Sequence, residues 1–131
     1  MGKIYMTACM KGGCAKTVTT YNLAYSLQKL GKKVLAVDFD SQANLTTCFG
    51  VGEPAAVPVT IGHLMMAQID DEELPAPEEY IMSRNGVDFI PSSRSVFYIR
   101  RDIPMLATDC MTIQIWSTFN TSCCFANWSF H

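Results

Sequence analysis

Residues 3 to 9, "KIYMTAC", are an apolar, β-prone run and predict a buried strand. Glycines then interrupt the chain, and residues 10 to 16 read as a loop. From Thr17 to Leu30 the spacing turns helical, with Leu23, Ala24, Leu27 and Leu30 on one face. Gly31 suits the end of that helix, and Lys32 and Lys33 suit the negative end of its dipole. "KVLAVD", 33 to 38, is a second buried strand. Strand, glycine loop, helix, strand is a βαβ unit, which puts two parallel strands in one sheet with the helix across them.

Beyond Asp40 the pattern weakens. "SQANLTTCFG" predicts a short helical turn closed by Gly50, and "VGEPAAVPV" a proline-bearing loop. "TIGHLMMAQI" reads as a short helix with Thr60 as its N-cap. "DDEELPAPEE" is an acidic stretch broken by prolines, best read as a solvated loop. "GVDFIP", 86 to 91, predicts a third strand stopped by Pro91. From Ile103 to His131 the composition changes: there is no glycine, lysine, arginine or glutamate, and both tryptophans fall there. "MTIQIWSTF" alternates weakly as a strand would, while "TSCCFANWSFH" fits neither a surface nor a core.

Composition narrows the classes. A chain of 131 residues holds one domain at most, with 49% hydrophobic and 17% charged residues, ordinary for a globular protein. A net charge of -2 gives no global pull toward nucleic acid or anionic membrane. No apolar run is long enough to span a bilayer, no secretory cleavage pattern follows the start, and Met6 breaks the myristoylation pattern that begins at Gly2. None of the six cysteines forms a C-x-x-C pair, and the two histidines lie far apart, which disfavours a zinc site. The expectation is a cytoplasmic protein with reduced thiols and no membrane association.

Two segments carry chemistry. In "KGGCAKT" a glycine-rich turn lies between a strand and a helix. Its backbone N–H groups can form an anion-binding nest, reinforced by the positive end of the helix. Gly12 and Gly13 let the backbone approach phosphate oxygens, Lys16 would reach the β- and γ-phosphates, and the Thr17 hydroxyl would ligate Mg²⁺. The spacing is not that of a dinucleotide fold. In "VDFDSQ", Asp38 and Asp40 end the second strand, at the sheet edge where open parallel sheets bind ligands. Two carboxylates there can hold Mg²⁺ through water and orient an attacking water. The competing reading is an aspartate turn that caps the next helix. Cys14 lies inside the nest, between Lys11 and Lys16. It reads either as a reactive thiol or as a small residue filling a variable loop position.

"KGGCAKT" followed by "KVLAVDFDSQANLTTCFG" resembles the ParA/Soj-type partition ATPases, of the deviant Walker A group of P-loop proteins. The family loop reads K-G-G-x-G-K-[ST]-[ST] and its second segment D-x-D-P-Q-x-N-x-T. The resemblance covers roughly residues 1 to 93. It implies an α/β fold, a P-loop NTPase-like parallel sheet with flanking helices, incomplete relative to the family. It implies ATP and Mg²⁺ as cofactors, and it places residues 11 to 18 (Lys11, Gly12, Gly13, Cys14, Ala15, Lys16, Thr17 and Val18) around the phosphates. Lys11 matches the signature lysine that reaches a partner's phosphates in an ATP-bound dimer. Lys16 matches the loop lysine and Thr17 the magnesium ligand. Asp38 matches the aspartate near the metal, and Asp40 the one that positions the hydrolytic water. The family's ATP-state homodimer binds DNA without sequence preference and answers to a ParB-type partner in chromosome or plasmid partitioning.

The departures are as specific as the matches. Ala15 stands where the family has glycine, so a methyl points toward the β-phosphate and strains the turn. Val18 replaces a second hydroxyl, and Ser41 replaces a proline. No strand ending in a Walker B aspartate follows Ser93, and the family's DNA-binding surface has no counterpart. The sequence therefore divides into 1–102, the N-terminal part of a ParA-like ATPase domain, and 103–131, an atypical tail. That tail reads as a divergent terminus or, preferably, as a foreign reading frame joined to a truncated gene. Three functions stay open: a ParA-like ATPase, a relative that binds nucleotide without turnover, and a non-functional truncated product.

Overall fold

The computed structural model describes residues 3–9, 13–94 and 123–129. Among these described residues, five strands form one sheet: β1 (Lys3–Cys9), β2 (Val34–Asp38), β3 (Met82–Arg84), β4 (Val87–Ile90) and β5 (Cys123–Ser129), in the order β1-β5-β2-β4-β3. β5 is parallel to both β1 and β2, and β2 is parallel to β4. The two strands of the βαβ unit are thus parallel, with one strand between them. The described residues also include the α-helices α1 (Lys16–Lys29), α2 (Asn44–Cys48), α3 (Ile61–Ile69) and α4 (Pro77–Tyr80).

β2 is buried along its whole length, and its alternation distributes side chains to two layers. Leu35 and Val37 pack with Ile90, Ile61, Leu64, Met65 and Tyr80 on the α3 side. Val34 and Ala36 pack with Ala24, Leu45, Phe49, Val87 and Phe89 on the side of α1 and α2. There the rings of Phe49 and Phe89 stack with centroids 4.5 Å apart. A strand covered on both faces needs this continuous apolar run.

Helix α1 runs one residue ahead of its expected limits at both ends. Its fully buried positions are Thr20 and Ala24, with Leu23 and Leu27 packed partly against the core. Leu30, expected on the buried face, is 73% exposed, because it lies past the last helical turn as the C-cap. β1 also departs from expectation. Among the described residues it is an edge strand, and Ile4 and Met6, on the face opposite to the one where Thr7 meets α1, are 57% and 64% exposed. Thr7 joins it to α1 through a hydroxyl contact with Thr20.

The expected helix after Thr60 forms, and Thr60 caps it. The Thr60 N–H donates to His63 Nδ1 at 3.0 Å, while the His63 N–H donates to the Thr60 carbonyl at 2.9 Å. The third expected strand is β4. Its hairpin partner β3 is an element the sequence reading missed. Asn85 and Gly86 join the two with φ of +50° and +79°, the left-handed pair of a two-residue hairpin turn. The segment 103–131, set apart above as a tail, contributes residues 123–129 as the strand that links β1 to β2. The weak alternation at 111–119 lies outside the described residues.

Candidate functional site

The C-terminal ends of β1 and β2 lie on one edge of the sheet. Thr7 and Asp38 are both in register with Asn127 of the intervening strand. Two inter-strand steps separate them, roughly 10 Å. The glycine loop leaves β1 at this edge and feeds α1, while the "VDFDSQ" segment leaves β2 beside it. The two segments that carry the sequence-predicted residues therefore leave the sheet at one edge, while Lys11 and Gly12 lie outside the described residues.

Gly13 has φ +76°, and among the described residues nothing lies within 4 Å of where a Cβ would stand. Ala15 is the N-cap of α1 and has φ +57° and ψ +21°, a left-handed conformation that glycine adopts freely and alanine does not. The glycine-to-alanine departure thus falls where the backbone is least tolerant of a side chain. The Ala15 side chain offers no cap to α1. The first bond of the helix runs from the Thr19 N–H to the Ala15 carbonyl, so the earlier N–H groups are those a helix start leaves for an external acceptor.

Lys16 and Thr17, the first two residues of α1, are partly buried, whereas Val18 is 59% exposed. The Lys16 ammonium is folded back over the loop, with Nζ 3.6 Å from the Cys14 Sγ. The Cys14 thiol is exposed. Among the described residues the donor set is the Lys16 ammonium, the Thr17 hydroxyl and the helix-start amides. That chemistry fits a polyphosphate with its magnesium ion.

Asp38 and Asp40 are both buried, 1% and 5% exposed. Asp38 Oδ1 accepts the Asp40 N–H at 3.1 Å, while Oδ2 accepts the Thr46 N–H at 2.9 Å and the Thr46 hydroxyl at 2.8 Å. Burial raises the Asp38 pKa to about 6, against the opposing pull of the donors from Thr46 and Asp40. The Asp38 carboxylate therefore also performs the helix-holding role that the sequence reading ranked second. Asp40 Oδ1 accepts the Gln42 N–H at 3.0 Å. Thr46 went unassigned in the sequence reading, although it closes the D-x-D-x-Q-x-N-x-T pattern. A short polar residue six positions past the aspartate pair, in the first turn of the next helix, was the available signal.

A family model described as an AAA domain matches residues 2–114. The probable plasmid-partitioning protein ParA of Thermus thermophilus is 38% identical over 91 residues, covering 70% of this chain and 26% of that protein. The sporulation initiation inhibitor protein Soj of Bacillus subtilis is 47% identical over 51 residues, 39% of this chain and 20% of Soj. The chain thus spans about a quarter of the length of these relatives. Among solved structures, the septum site-determining protein MinD of Pyrococcus horikoshii, complexed with Mg-ADP, superposes with a TM-score of 0.70 at 25% identity, over 97% of this chain and 49% of MinD. Loop, aspartate segment, sheet and relatives agree: the chain belongs to the AAA-domain family, among its ParA/Soj-type partition ATPases.

Proposed function

We propose that this chain binds ATP with Mg²⁺ at residues 11 to 18 and belongs to the machinery that partitions chromosomes or plasmids. The observation that carries the reading is the uncapped start of α1, set behind a glycine turn on the same edge as Asp38 and Asp40. The loop amides and the first N–H groups of α1 bind the phosphate oxygens. Lys16 would hold the β- and γ-phosphates, and the Thr17 hydroxyl and Asp38 would serve the metal. Bound magnesium would neutralise phosphate charge. Asp40 orients the hydrolytic water, and Lys11 reaches a second subunit's phosphates in an ATP-state homodimer. A ParB-like partner and non-specific DNA belong to the same reading by family, as does a cytoplasmic location. Among the described residues no helix is long and apolar enough to cross a membrane.

The nucleotide chemistry lies within 1–102. Ala15 and Val18 favour a weak site, so binding without turnover is the second reading. Phosphate release measured alongside nucleotide binding separates the two. Release that is lost in Asp40→Ala supports the ATPase, binding with no release supports the second reading, and no binding overturns both.

A further inference from the structure

The Thr46 side chain is completely enclosed, and both hydrogen-bonding capacities of its hydroxyl are used. It donates to Asp38 Oδ2 at 2.8 Å and accepts the Ser92 N–H at 2.9 Å. Its own N–H gives Oδ2 a second bond at 2.9 Å. From Asp38 the connection continues: Oδ1 accepts the Asp40 N–H, Asp40 Oδ1 accepts the Gln42 N–H, and the Asp40 carbonyl accepts the Ala43 N–H at 2.8 Å. One hydroxyl therefore ties three pieces of chain together: the end of β2, the body of α2 and the segment that leaves β4.

We propose that Thr46 is a positioning residue for the nucleotide site, fixing Asp38 and through it the Asp40–Gln42 segment, without touching the nucleotide. The proposal rests on the nucleotide reading above. A hydroxyl can donate to a carboxylate and accept from an amide at once. Valine fills the same space and does neither, leaving the buried Ser92 N–H unpaired and Asp38 Oδ2 with one donor fewer. Serine keeps both bonds. A residue that orients groups behind a metal or water site acts on the metal-dependent part of binding more than on contacts to the loop.

The test compares the full chain with Thr46→Val and Thr46→Ser. ATP affinity is measured with Mg²⁺ and with EDTA, and amide hydrogen exchange is followed in the nucleotide-free chain. Thr46→Val is expected to lose roughly 10–100-fold in ATP–Mg²⁺ affinity while metal-free ATP affinity changes by less than about threefold. Thr46→Ser restores the wild-type value. The Asp40 and Gln42 amides exchange faster in Thr46→Val, while those of Leu35 and Ala36 in β2 keep their protection. Equal losses with and without Mg²⁺, failure of serine to restore binding, or unchanged Asp40 and Gln42 exchange overturns the proposal. A wild-type chain that binds no ATP refutes the nucleotide reading instead, and the exchange data alone then decide whether Thr46 orders this segment. Should Thr46→Val fail to fold, Thr46→Cys, a weak donor of similar size, is read by the same criteria.

Discussion

Replacing Ala15 with glycine separates two effects of one methyl group. Ala15 has φ +57° and ψ +21°, where an L side chain crowds the following carbonyl at a cost of about 1–2 kcal/mol. Glycine removes that strain but brings about 0.4–1 kcal/mol of extra unfolded-state freedom. The nucleotide-free chain should therefore gain about 0.5–1 kcal/mol, a rise in Tm of about 2–5 °C. Ala43 provides the internal control. It has nearly the same conformation, φ +54° and ψ +31°, but its methyl is buried, 3% exposed. Ala43→Gly relieves the same strain and loses about 0.8 kcal/mol of buried methyl, so it should be close to neutral. Chemical denaturation of the three proteins measures this, and calorimetry with ATP–Mg²⁺ measures the second effect. If the methyl also displaces one phosphate hydrogen bond, Ala15→Gly tightens binding by about 1–3 kcal/mol beyond the stability gain. Ala15→Gly that destabilises the free chain, or that leaves both stability and affinity unchanged, would refute the strain argument.

Three further outcomes follow from the site. The Asp38 pKa is raised by burial to about 6 from an ordinary 3.8, so the native state binds this proton more tightly than the unfolded chain. Its contribution to stability is full below pH 3.8 and lost as pH rises through 6, about 3 kcal/mol in all. Urea unfolding at about pH 5 and pH 7 should show a fall with rising pH that Asp38→Asn lacks, and equal pH slopes would contradict it. Cys14 and Cys48 are both exposed, yet only Cys14 lies in the glycine loop before α1. ATP–Mg²⁺ should slow iodoacetamide labelling of Cys14 and not of Cys48, and equal rates that ignore nucleotide would remove Cys14 from the site. The chain alone should release little phosphate, and turnover matching a longer partition ATPase would overturn that.

The sheet and the loop were legible because their patterns were local. Strand, glycine turn and helix follow one another within 38 residues, and a βαβ unit admits few arrangements. The Thr60 cap was legible for the same reason. The β3–β4 hairpin was missed although Asn85-Gly86 announces a two-residue turn, because "IMSR" before it alternates poorly and none of β3 is buried. β5 was missed because "CCFANWS" mixes small and aromatic residues without alternation. The exposure of β1 was illegible for the opposite reason: an apolar run predicts burial, but whether a neighbour arrives depends on the whole sheet. At the site, residue types marked the two segments that leave the sheet at one edge. That Asp38 also holds α2 through Thr46 is a tertiary fact, carried by a contact eight residues away and another across to Ser92.

The central claim is that the loop before α1 holds ATP through Lys16 and the helix start. Isothermal calorimetry of the full chain with ATP–Mg²⁺, run beside Lys16→Ala, tests it most directly. The account predicts saturable one-to-one binding by the wild-type chain and loss of at least about tenfold in affinity, about 1.4 kcal/mol, when the ammonium is removed. Both proteins should unfold at similar temperatures, because Lys16 is only partly buried and its described partner is the exposed Cys14 thiol. No detectable binding by the wild-type chain, or binding that Lys16→Ala leaves unchanged, would contradict it.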